Sequence, residues 1–105
     1  SHSPLMERVA QALAELLARI PLREPEIPIV ANVTGGILST VEEIRRELAC
    51  QVALPVQWTA SVREMRNRGA TAFLEVGPGQ VLTGLVKKIH RDVEAYSMKD
   101  LGFEP

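Results

Sequence analysis

The stretch Ala72-Phe73-Leu74-Glu75-Val76-Gly77-Pro78-Gly79-Gln80, running on into Val81-Leu82-Thr83-Gly84-Leu85-Val86-Lys87-Lys88-Ile89, decides the fold. Ala72, Phe73, Leu74 and Val76 read as a short buried strand, and Gly77-Pro78-Gly79 breaks it with residues suited to a tight turn. Beyond the turn, Val81, Leu82, Leu85, Val86 and Ile89 recur at steps that place them on one side of a helix. A final strand over Val93 to Ser97 would complete a strand–helix–strand unit, the building block of a parallel sheet.

The same signals continue toward the N-terminus. Pro55 is expected to open a helix whose Trp58, Val62 and Met65 share a face and whose end is marked by Gly69. Thr40-Val41-Glu42-Glu43 is a capping-box pattern, opening a helix with Ile44 and Leu48 on its buried side and an end near Cys50. Ile29, Val30, Ala31 and Val33 form a nearly continuous apolar run before Gly35-Gly36, as in a parallel-sheet strand covered on both faces. Ser3-Pro4, with Glu7 in the first turn, starts a first helix whose stripe of Leu5, Val9, Leu13, Leu16, Leu17 and Ile20 should face a core until Pro21. This order predicts an α/β chain with helices covering a parallel sheet. Two or three strands are too few to shield such stripes and the sheet's own edges, so the chain is expected to be incomplete as a stand-alone unit.

Composition narrows the function classes. Apolar residues make up 46% and charged residues 24%, the balance of a packed globular chain rather than a disordered one. Twelve Lys and Arg against thirteen Asp and Glu leave a net charge of -1, so no global field recruits nucleic acid or an anionic membrane. Cys50 has no partner for an internal disulfide, and no apolar run approaches the ~20 residues that span a bilayer. Without a secretory or transit pattern at the start, a soluble cytoplasmic chain is expected. One cysteine and the separated His2 and His90 give no metal-ligand cluster, so neither a metal nor a redox protein is expected.

Few residues offer chemistry. His2, just ahead of a capped helix, reads locally either as a base held at a rigid helix start or as the remnant of a purification tag. Cys50, at a helix end with no cationic neighbour in sequence, reads as a small buried apolar residue rather than a nucleophile. Gly77-Pro78-Gly79 lacks the lysine and hydroxyl of a phosphate loop and reads as a structural turn. Lys87 and Lys88, with Arg91 one turn on, form a local basic patch on the last helix, by default a solvated surface.

Taken in order, the strings SHSPLM, IPIVANVTGG, CQVALPVQW and FLEVGPGQVLTGLVKKI resemble the C-terminal part of malonyl-CoA:acyl carrier protein transacylases, and more weakly the acyltransferase domains of polyketide synthases. The resemblance covers roughly residues 1–90. It implies that residues 1–105 are the C-terminal part of the enzyme's large α/β subdomain, a portion of a hydrolase-like parallel sheet covered by helices. It also implies an activity: a serine in a GHSxG elbow takes malonyl from coenzyme A and passes it to the phosphopantetheine thiol of acyl carrier protein, in fatty acid biosynthesis. The family's catalytic histidine, in its HSxLM block, falls on His2 as general base. The backbone carbonyl that orients that histidine falls on Gln51.

The five serines here, Ser1, Ser3, Ser39, Ser61 and Ser97, lie in no GxSxG pattern. The nucleophile and the arginine for the malonyl carboxylate are therefore expected upstream of His2, outside these residues, and the chain alone is expected to be inactive. Because the family's carrier proteins are acidic, the resemblance gives Lys87, Lys88 and Arg91 a docking role. A non-catalytic α/β interaction module and an acyltransferase of a polyketide pathway stay open as alternatives.

Overall fold

A computed structural model describes residues 3–103. They form two compact units, divided between Ser61 and Val62.

The first unit begins with helix α1 (Pro4–Leu17), started by the Ser3 hydroxyl, which accepts the Met6 N–H at 3.1 Å, and by Pro4 in the first turn. The helix stops short of Pro21. Ile20, directly before the proline, is disfavoured in helical geometry, and the chain tightens as the Arg19 and Ile20 N–H groups bond back to the carbonyls of Leu16 and Leu17. The freed end is capped from outside: Arg45 donates through Nε to the Leu17 carbonyl (3.1 Å) and through its guanidinium to that of Ile20 (2.9 Å). Of the expected stripe only Leu17 is buried.

The run from Ile29 to Val33 departs from its sequence-based expectation. Strand β1 (Ile29–Val30) has two residues, and it pairs antiparallel with β2 (Ile37–Leu38) in the register Ile29↔Leu38 and Val30↔Ile37. A hairpin replaces the expected parallel strand because the chain turns at once. Ala31 exchanges bonds with the loop, donating to the Gly36 carbonyl and accepting from the Gly35 N–H. Gly35, at φ +73°, takes the left-handed conformation the turn needs.

Helix α2 (Val41–Cys50) carries the expected capping box between Thr40 and Glu43. Its inward side differs: Glu47 and Ala49 are buried, whereas Leu48 is 39% exposed. Helix α3 (Trp58–Asn67) starts three residues after Pro55, because the Gln57 N–H is held by the Asn32 carbonyl at 2.6 Å. Its end matches expectation: the Gly69 and Ala70 N–H groups bond back to the carbonyls of Arg66 and Met65, a Schellman closure with Gly69 at φ +103°.

The second unit, from Val62, holds the strand–helix–strand unit. Strand β3 (Ala72–Glu75) pairs parallel with β4 (Glu94–Ser97), and helix α4 (Val81–Ile89) crosses between them. Val86, Val93, Ala95 and Ser97 are buried, yet the strands are covered on one face only. Leu74 and Tyr96 stay exposed, as do Val76 beyond the strand and Val81 and Leu82 on the helix. A short 3-10 turn (Lys99–Leu101) follows, with the Asp100 carboxylate accepting the Ser97 N–H at 2.8 Å.

Candidate functional site

Two proposed site residues come from opposite ends of the first unit's sequence, and the structure describes one of them. His2 lies outside the described residues. Gln51 is the C-cap of α2, half-buried, with helical backbone angles (φ -57°, ψ -31°) and its N–H bonded to the Glu47 carbonyl at 3.0 Å.

The spacing from Gln51 to Pro55 has a physical consequence. In a continuing helix the residue four positions on would donate to the Gln51 carbonyl, but Pro55 has no N–H to give. The Ala53 and Leu54 N–H groups both turn to the carbonyl of Cys50 instead. Among the described residues no backbone donor reaches the Gln51 oxygen, which therefore stands at a helix C-terminus, the negative end of the dipole, ready to accept. An acceptor of this kind is what an imidazole N–H needs to be held in one tautomer and orientation.

The Gln51 side chain is not idle. Its Nε2 donates to Glu47 Oε2 at 2.9 Å. The same carboxylate accepts the Asn32 N–H (3.1 Å) and the Val33 N–H (3.1 Å and 3.3 Å to its two oxygens), and Glu47 is 5% exposed. From the other side the loop is fixed by the buried Ser61 hydroxyl, which donates to the Ala31 carbonyl at 2.9 Å. A cavity of about 160 Å³ beside this cluster is lined by Asn32, Glu47 and Gln51 together with Val30, Leu38 and Ile44. Glu47 carried no weight in the sequence. Its only signal was a carboxylate three residues from Ile44, on the side of α2 that turns inward.

The remaining candidates are placed as follows. Cys50 is half-buried and lines a second cavity of about 300 Å³ with Arg46, Leu38 and Leu54. The turn at Gly77-Pro78-Gly79 leads to an N-terminus of α4 where the Leu82 and Thr83 donors are already used. Glu75 accepts the Thr83 N–H (2.9 Å) and hydroxyl (2.8 Å) and the Leu82 N–H (3.3 Å), and these bonds hold its carboxyl below the usual range. Lys87 and Lys88 are exposed in the last turn of α4, but Arg91 lies beyond its C-cap His90 and is not on the helix. Asp100 stands near Lys87: the Ser97 N–H foremost, then the Ser97 hydroxyl and the Lys87 and Lys99 charges, keep its carboxyl below the ordinary range. Among the described residues no three His, Cys, Asp or Glu side chains gather to hold a metal ion, and no helix is long and apolar enough to cross a membrane.

No family model matches the chain. Its curated relatives include the malonyl-CoA-acyl carrier protein transacylases of Bacillus subtilis, 33% identical over 99 residues (94% of this chain, 31% of the relative), and of Escherichia coli, 41% identical over 100 residues (95% and 32%). A phenolphthiocerol synthesis polyketide synthase of Mycobacterium bovis is 37% identical over 101 residues, which are 96% of this chain and 5% of the synthase. Among solved structures, the malonyl-CoA:acyl carrier protein transacylase of Xanthomonas oryzae superposes with a TM-score of 0.88 at 38% identity, over 97% of this chain and 33% of that one. A malonyl-transacylase in complex with a type II polyketide acyl carrier protein gives 0.85 at 40% identity, over 92% and 31%. The chain thus spans about a third of the curated transacylases it matches and has the fold of that third.

Proposed function

We propose that this chain is the histidine-bearing part of a malonyl-CoA:acyl carrier protein transacylase. The observation that carries the proposal is the match to such an enzyme over 97% of the chain at a TM-score of 0.88 and 38% identity. In the proposed reaction a serine from a part outside these residues attacks the malonyl thioester. His2 takes the serine proton and returns it to the departing coenzyme A thiol, leaving a malonyl-serine ester. The phosphopantetheine thiol of the carrier protein then attacks that ester, losing its proton to His2, and the serine oxygen recovers it. The Gln51 carbonyl, left open by Pro55, is the orienting acceptor for the imidazole.

The chain contributes no nucleophile of its own and is inactive without the serine-bearing part. Coenzyme A and acyl carrier protein enter as substrates, with no resident cofactor. Cytoplasmic residence and a role in fatty acid biosynthesis belong to the same proposal. Lys87 and Lys88 are the proposed docking charges for an acidic carrier, with Arg91 contributing from the loop beyond the helix; their exposure supports this, and the nearby Asp100 offsets part of the charge. The deciding experiment is transacylation by the complete enzyme and its His2→Ala variant. A loss of about 10²–10⁴-fold in kcat is expected for removal of a positioned base, and a near-normal rate would end the proposal.

A further inference from the structure

We propose that Glu47 is a positioning residue for the catalytic base, acting through Gln51. The inference rests on the transacylase function proposed above and adds to it a residue one step behind the histidine's partner.

A carboxylate taken out of water is costly unless its oxygens are hydrogen-bonded, so a 5% exposed glutamate on the inward side of a helix needs a reason. The bonds supply two. The Asn32 and Val33 N–H groups, which have left the strand ladder at the hairpin turn, are satisfied by Glu47. That alone would be a structural clamp, complete without Gln51. Yet the Gln51 amide reaches back along the helix and donates to the same carboxylate at 2.9 Å, while its backbone N–H bonds to the Glu47 carbonyl at 3.0 Å. Gln51 is thereby tied to Glu47 twice, once through the backbone and once through the side chain.

This matters because Gln51 is the C-cap of its helix. Helix ends fray, and Pro55 removes the donor that would otherwise hold the terminal carbonyl. A supporting group has to be held within about 0.5 Å to be useful to the chemistry. Glu47 gives the helix end a second reference point, the loop at Asn32 and Val33, itself held by the Gln57 N–H and the Ser61 hydroxyl.

The test is steady-state transacylation by the complete enzyme with the variants Glu47→Gln, Gln51→Ala, the double variant and His2→Ala. Gln51→Ala keeps the backbone carbonyl and removes only the side-chain tie. The expected result is a fall in kcat of roughly 10- to 100-fold for Glu47→Gln and Gln51→Ala alike, with KM for malonyl-CoA within about twofold of native. The double variant should be no worse than the worse single, because both changes cut the same link. Native kcat in Gln51→Ala, or losses that multiply in the double variant, would overturn the inference while a dead His2→Ala left the transacylase reading intact. An active His2→Ala would overturn both. Should circular dichroism show Glu47→Gln to be unfolded, Gln51→Ala decides by the same criterion.

Discussion

In the unit that ends at Ser61, a carboxylate on a helix reaches out to a loop: Glu47 of α2 gathers the N–H groups that follow β1. In the unit that begins at Val62 the direction is reversed, and Glu75 at the end of β3 reaches forward to the first N–H groups of α4. Both fix a strand-to-next-element connection with one acidic side chain. They differ in solvent. Glu47 is buried and, among the described residues, the Asn32 and Val33 N–H groups bond to no other acceptor, whereas Glu75 is partly wet and water can replace it when it is removed. A clamp is worth most where water cannot substitute for it, so the two connections should respond unequally to the same kind of damage.

The largest effect is expected from Glu47→Leu, which takes the acceptor from the half-buried Asn32 and Val33 N–H groups at roughly 1–3 kcal/mol each; urea denaturation should show about 3 kcal/mol lost. Gly35→Ala attacks the same loop through the backbone. It places a methyl 2.8 Å from the Ala60 Cβ at a φ of +73°, and about 2 kcal/mol should be lost by the same measurement. Ser61→Ala removes the buried donor to the Ala31 carbonyl and should cost about 1 kcal/mol.

Glu75→Gln should lower Tm least of the four at neutral pH. Its pH dependence is the sharper test. The Thr83 and Leu82 donors depress the folded pKa below the usual 4.5, so the stabilisation is fully present above that value and disappears as pH falls through the folded pKa. The Tm gap between native and Glu75→Gln protein should therefore narrow as the pH falls below 4.5 and close once it has passed the depressed folded pKa. Equal destabilisation by Glu47→Leu and Glu75→Gln at neutral pH would break the contrast between a dry clamp and a wet one.

The second unit was legible in advance because its signals are local. Gly77-Pro78-Gly79 between an apolar run and a helical stripe leaves little freedom, and a parallel pair follows once the crossover is a helix. The first unit was harder. The run Ile29 to Val33 has the composition of a through-strand, but Glu47, some fifteen residues on, draws the Asn32 and Val33 N–H groups out of the ladder. Strand β2 is invisible in the sequence for a different reason, since two residues, Ile37 and Leu38, carry no periodicity. The apolar stripes of α1 and α4 are plain in the sequence, yet Leu5, Val9, Val81 and Leu82 stay exposed, because amphipathicity says which face is apolar and not what covers it.

By itself the sequence determined the caps, the strand–helix–strand unit, the ordered blocks resembling a transacylase, and Gln51 as a residue of interest four positions before a proline. Those depend on neighbours along the chain, where spacing alone fixes which groups can meet. Pro55 already denies the Gln51 carbonyl its helical donor; the tertiary structure alone decided that no other backbone donor reaches it among the described residues, and that Glu47 holds both Gln51 and the loop after β1. The reason is that a buried carboxylate takes whichever donors the folded backbone brings within reach, and those donors are set by packing rather than by position in the sequence.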